Sequence, residues 1–244
     1  MTGDPDFFIG WAGRLPAGHA GWLRGLVASV VAGGLLLAIA LARAGDDPGG
    51  GGSGVEVTLQ GVLRARPYPT ITLPPDAGGA PARTVLLSGG GKDGAPFDPV
   101  LDGRTVAASG YLLRRGALEM LQVGDPIREA APDLPVPAAV KLGTWRITGE
   151  ICDGKCLAGA MRPGIGIIHR ACANLCVSGG VPPVFVATAP IEGQTHLLLG
   201  DPAGGPLDGR FRALTALPVT LEGVVERRGS LLVFLPDLTR AQLR

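Results

Sequence analysis

Two stretches of this chain, TVAASGYLLRRGALEML from Thr105 and PVTLEGVVERRGSLLVFL from Pro218, repeat one another at a constant offset of 113 residues. In each, a glycine (Gly110, Gly223) interrupts the first apolar run, and two arginines with a glycine (Arg114-Arg115-Gly116, Arg227-Arg228-Gly229) separate it from the second. Short runs of this kind joined at a glycine predict a β-hairpin, with the glycine supplying positive φ and the arginines lying solvated in the loop. The likeness continues upstream, where Thr84-Val-Leu-Leu answers Thr195-His-Leu-Leu and VTLQGVL from Val57 answers WRITGEI from Trp145. A unit of about five strands is therefore used twice. Its strands are short and carry glycine in mid-run, as at Gly61 and Gly149, which favours a small closed barrel over a flat sheet. The prediction is a mainly β protein with two tandem OB-like barrels, 55–135 and 136–244, meeting near the Pro-rich PDLPVPAAV at 132–140.

Ahead of the repeats, Gly25 to Ala42 run 18 residues without a charge, bounded by Arg24 and Arg43. As a helix at ~1.5 Å per residue this spans ~27 Å, close to a hydrocarbon core, and Trp22 stands where an interfacial aromatic belongs. We read 22–43 as one N-terminal transmembrane helix, 1–21 as a cytoplasmic tail and 44–54 as a Gly-rich linker. A cleaved signal peptide competes, since Ala40-Leu-Ala42 and Ala42-Arg-Ala44 have the small-x-small form. The 24 residues before the apolar run and its length favour a retained anchor. Both readings export the rest of the chain. Arg14 and Arg24 before the helix, against Arg43 and then Asp46 and Asp47 after it, put the N-terminus in the cytoplasm. The expected location is the inner (cytoplasmic) membrane, single-pass, with the bulk in the periplasm.

Composition removes some function classes. An apolar content of 46% supports a packed core, while a formal net charge of +1 and 5% aromatics leave neither a basic groove nor stacking platforms, so no nucleic-acid partner is expected. No H-E-x-x-H, G-x-S-x-G or phosphate-binding glycine loop occurs, and no catalytic residue is assigned.

All four cysteines fall in ICDGKCLAGAMRPGIGIIHRACANLC, residues 151–176, where copy two carries 23 residues more than copy one (an offset of 111 against 88). We expect a Cys/His-containing helical insertion at 151–180, its helix stopped at Gly179-Gly180 and placing His169, Cys172 and Cys176 on one face. In an exported domain the even count reads as two disulfides among Cys152, Cys156, Cys172 and Cys176. A Cys172–Cys176 bridge is disfavoured by helix geometry, and an antiparallel loop would nest Cys156–Cys172 inside Cys152–Cys176. The alternative is a zinc or copper site on Cys156, His169, Cys172 and Cys176, which gives His169 a purpose. A thiol enzyme is the third reading, with His169 one turn from Cys172. Asp153 either turns the DGK loop or orients His169. His196 reads as a strand packing residue, and His19 lies on the far side of the apolar helix.

The segment GEICDGKC…HRACANLCVSGGVPPVFV resembles a group of uncharacterised exported bacterial proteins, in which a D-x-x-C stretch precedes H-x-x-C-x-x-x-C-x-x-G and a small OB-like barrel. The resemblance puts Asp153, Cys156, His169, Cys172 and Cys176 on motif positions and leaves Cys152 as an extra thiol. It implies architecture and cluster membership and carries no activity. The expected function is a membrane-anchored periplasmic binding or accessory protein, a non-catalytic subunit or assembly factor of a membrane redox complex with a protein partner there. The alternative is a metal-binding or metal-delivery protein.

Overall fold

The structure is a computed structural model, and it describes residues 17–44, 55–76 and 78–244. Most of the expected N-terminal tail and nearly all of the Gly-rich linker lie outside these residues.

Helix α1 runs Ala17–Ala44, beginning earlier than the expected Trp22. It is apolar all round, and its large side chains, Leu35, Leu36 and Leu37 among them, are exposed. Such a surface is satisfied only by an apolar surrounding. Within it, Gly18–Arg43 is long and apolar enough to cross a membrane.

The remaining chain builds two barrels of one topology. In the first, β1 (Val55–Arg64), β2 (Thr70–Leu73), β3 (Arg83–Ser88), β4 (Thr105–Arg115) and β5 (Leu118–Val123) follow the order β1-β2-β3-β5-β4, and β4 pairs back with β1 to close the sheet. All neighbours are antiparallel except β3 and β5, which run parallel. A short β6 (Arg128–Glu129) adds to β4. The second barrel repeats this strand for strand with β7 (Val140–Asp153), β8 (Pro183–Ile191), β9 (Gln194–Leu199), β10 (Val219–Arg228) and β11 (Leu231–Pro236). There β9 and β11 are the parallel pair, β10 closes onto β7, and β12 (Gln242–Leu243) adds to β10. Two tandem OB-like barrels are thus the architecture.

The repeated glycines have two separate uses. Gly116 and Gly229 open the β4–β5 and β10–β11 turns at φ 55° and 57°, the positive φ expected there. Gly61 and Gly149 instead lie where the neighbouring strand's carbonyl passes too close for a Cβ, Thr72 in one barrel and Val186 in the other. Tight curvature of a small barrel causes that approach.

Each barrel has its own core, Leu63, Ile71, Val85 and Leu121 filling the first and Ile151, Phe185, Leu221 and Phe234 the second. A third apolar cluster joins them: Tyr68, Leu86, Leu118 and Met120 pack with Leu157, Val181, Val184, Leu198 and Val233. Backbone links cross the same seam, with Thr84 N–H donating to Ser230 Oγ (3.0 Å) and Leu207 N–H to Tyr68 Oη (3.1 Å). The two barrels and their insertion form a single compact unit.

This seam corrects one expectation. Arg115 is buried rather than solvated, its guanidinium donating to the Pro163 carbonyl. Arg228 donates to the Arg66 carbonyl at 2.8 Å. Both side chains sit at hairpin ends that the packing of one barrel on the other turns inward.

Candidate metal and thiol site

Where residues 65–69 join the first two strands of barrel one, residues 154–182 join β7 to β8 in barrel two. They hold a helical turn at Cys156–Ala160, a 3-10 turn at Ile167–His169 and helix α2 (Arg170–Ser178). Strand alternation at the end of β7 makes the first decision about the site, because successive residues face opposite ways. Asp153 faces Cys156 and His169, and Cys152 lies on the opposite face beside Gly166, its Sγ 3.4 Å from Glu150 Oε1. Glu150 Oε1 also accepts the Gly166 N–H at 3.1 Å. Burial first, and then the Glu150 carboxylate, push the Cys152 thiol far up.

Asp153 is fully buried and uses both oxygens. Oδ1 accepts the Cys156 N–H at 2.8 Å, and Oδ2 lies 2.8 Å from Nε2 of the buried His169. Both sequence readings of Asp153 hold together, since one carboxylate turns the DGK loop and orients the histidine.

The three remaining cysteines converge. Cys156 Sγ is 3.9 Å from Cys172 Sγ, and with Cys176 the sulfurs lie within 4.8 Å of one another. Cys156 and Cys176 are buried, while Cys172 is half-exposed. A metal with ~2.3 Å bonds to sulfur sets its sulfurs roughly 3.8 to 4.0 Å apart, so the cluster has the donors and the spacing of a soft-metal site. A second donor group, Asp153, Cys156 and His169, shares Cys156 with the first.

Two lysines from opposite sides of the seam complete the site. The loop after β3, GGGKDG, runs along the end of α2, with Gly94 N–H donating to the Gly179 carbonyl at 2.8 Å. A Cβ at Gly179 would run into the Lys92 carbonyl oxygen, so glycine is what admits the loop. Lys92 then places Nζ 2.8 Å from Cys172 Sγ and 3.7 Å from Cys176 Sγ. In return the buried Lys155 of barrel two donates to the carbonyls of Gly89 (2.8 Å) and Gly91 (2.9 Å), holding that loop in place.

The thiols are differentiated by this setting. Hydrogen bonding to Cys176, burial and the Asp153 charge push the Cys156 thiol far up. Cys176 is drawn down to about 7, first by the hydrogen bond with Cys156 and further by the Lys92 charge. The hydrogen bond to Cys172 raises Lys92, whereas burial lowers Lys155 against the pull of Cys176, Cys156 and Asp153.

The sequence expectations are met unevenly. The disulfide framework is not formed: all four cysteines are free, and Cys152, the expected partner of Cys176, stands apart from the other sulfurs, beside Glu150 and the Gly166 backbone, because alternation along β7 puts it on the face opposite Asp153. Cys156 and Cys172, the expected inner pair, are adjacent as thiols. Of the four-residue ligand set, Cys156, Cys172 and Cys176 come together, but His169 groups with Asp153 and Cys156, because the buried carboxylate holds its Nε2. His196 sits opposite Val186 in the β8–β9 pair, its pKa lowered by burial and by Arg115. Lys92, Lys155 and Glu150 went unnoticed in the sequence. One signal was available: the chain uses lysine only at 92, 141 and 155, and two of those three lie at the site, Lys92 on the thiols and Lys155 on the loop that carries it.

The fold and site define a class: a tandem OB-like barrel pair with a largely buried Cys/Asp/His/Lys cluster at its seam, and one membrane-length helix among the described residues. Compared with known protein families, curated proteins and solved structures, the chain matches none.

Proposed function

We propose that this is a membrane-tethered, extracytoplasmic protein that holds a soft metal ion on Cys156, Cys172 and Cys176. It would serve a membrane redox complex as a non-catalytic accessory or assembly subunit. The observation that carries the reading is the convergence of the three sulfurs, two of them 3.9 Å apart, on a seam that rigid barrel packing holds in place. Three thiols gathered this closely repel one another once ionised, and a soft metal cation shared by all three relieves that repulsion. Export is supported by the membrane-length helix near the N-terminus.

Asp153 and His169 would act as support. The carboxylate fixes the Cys156 backbone through its N–H and the imidazole through Nε2, so the loop carrying one sulfur is set before a metal arrives. Cys152 has no part in it.

The test is a thiol count under denaturing, non-reducing conditions, combined with elemental analysis of the detergent-purified chain. The expected result is about one equivalent of zinc or copper, lost in Cys176→Ser and retained in Cys152→Ser. Absence of metal together with no titratable thiol would sink the reading in favour of disulfides.

A further inference from the structure

Resting on the metal reading, we infer that the site takes Cu(I) in a three-coordinate, all-sulfur shell, rather than Zn(II) in a four-coordinate one. The cluster brings three sulfurs together, while the His169 nitrogen and the Asp153 carboxylate group with Cys156 alone. His169, the nitrogen donor nearest in sequence, has Nε2 committed to the buried Asp153 carboxylate at 2.8 Å and does not group with Cys172 and Cys176. Zinc in protein sites takes four ligands, the fourth being a side chain or a water molecule.

Beside the sulfurs stands a cation rather than a further ligand. Lys92 Nζ lies 2.8 Å from Cys172 Sγ and 3.7 Å from Cys176 Sγ, within reach of two of the three sulfurs. An ammonium has three donors and no lone pair, so it cannot ligate, but it can stay hydrogen-bonded to thiolates that also bind a metal. A positive charge at this range opposes a dication more strongly than a monocation. Copper as Cu(I) is monovalent and is selected by thiolate donors. Lys155 secures the arrangement by holding the Gly89 and Gly91 carbonyls, so the Lys92 loop is braced from below.

Binding releases the protons of whichever thiols are still protonated, to solvent, with no change in oxidation state. Supply as Cu(I) is therefore required.

The experiment titrates the reduced, full-length protein in detergent under anaerobic conditions, with Cu(I) from a weak chelator in one arm and zinc sulfate in the other. X-ray absorption then reads the first coordination shell. The expected result is one Cu(I) with three sulfurs and no nitrogen, unchanged in His169→Ala. In Lys92→Gln, Zn(II) affinity should rise about tenfold or more as the opposing charge is removed. A nitrogen in the copper shell, loss of Cu(I) in His169→Ala, or tight Zn(II) binding by the unaltered protein would overturn the three-coordinate assignment and leave the metal reading standing. Failure to bind either ion would remove both. Circular dichroism of each variant separates ligand loss from misfolding.

Discussion

The Nζ of Lys92, carried by the first barrel, lies 2.8 Å from the Sγ of Cys172, carried by the insertion of the second, across 80 positions of sequence. Each barrel thus supplies part of one site, and any change that slides one against the other disturbs it.

The thiols should titrate unequally in the metal-free protein. Ultraviolet thiolate absorbance should fall as pH drops through about 7, the depressed value of Cys176, and Cys156→Ala should shift that step upward because the hydrogen bond sustaining it is lost. The linkage to stability has two signs. A depressed thiol contributes stability that is full above its unfolded value of ~8.5 and lost as pH falls through about 7. The raised Cys156 works the other way, its contribution present below ~8.5 and lost as pH rises beyond it. Chemical unfolding across this range should show a maximum between the two; a monotonic profile would contradict the pairing.

Asp153→Ala should loosen the insertion. It strips a buried acceptor from the Cys156 N–H and a partner from His169 Nε2, and two such losses should cost about 2 to 4 kcal/mol. Thermal unfolding gives the magnitude, and hydrogen exchange should show lost protection confined first to residues 154–180.

Gly179→Ala tests the loop contact alone. The added methyl meets the Lys92 backbone, so the loop must retreat and take the ammonium from the sulfurs. Expected outcomes are faster exchange at residues 89–94, an upward shift of the Cys176 step, and a stability loss of about 1 to 3 kcal/mol. Unchanged exchange in that loop would refute the contact.

Met120→Ala removes a fully buried side chain from the cluster shared by both barrels and should cost about 2 to 4 kcal/mol. Calorimetry should record a single transition before and after, at a lower temperature in the variant, because the barrels share one apolar seam. Two resolved transitions in the unaltered protein would show that the seam does not couple them.

Much of the architecture was legible because its signals are local. Gly116 and Gly229 mark turns by the residues at the turn itself, and alternation in β1, β4 and β10 reports a buried face without reference to its partner. Arg115 shows the limit. Its neighbours read as an exposed hairpin end, and only the second barrel's Pro163 loop, 48 positions away, buries it.

The candidate site divides along the same line. Asp153, Cys156, His169, Cys172 and Cys176 stand within one short segment, so their spacing on a turn and a helix predicts proximity. Their partition into three sulfurs on one side and Asp153 with His169 on the other depends on where β7 ends and how α2 docks, which spacing does not encode. Lys92 lacks even that signal, as a lone cation in a glycine loop has no periodicity to betray its direction.

By itself, then, the sequence determined a duplicated barrel unit, a charge-free run of membrane length and a single inserted segment holding all the thiols, because alternation, turn glycines and charge-free runs act over a few residues. Only the tertiary structure decided which sulfurs meet, which cysteine is left out and which lysines attend them. Those choices follow from barrel closure and the packing of one barrel on the other, where residues far apart in the chain compete for the same few ångströms.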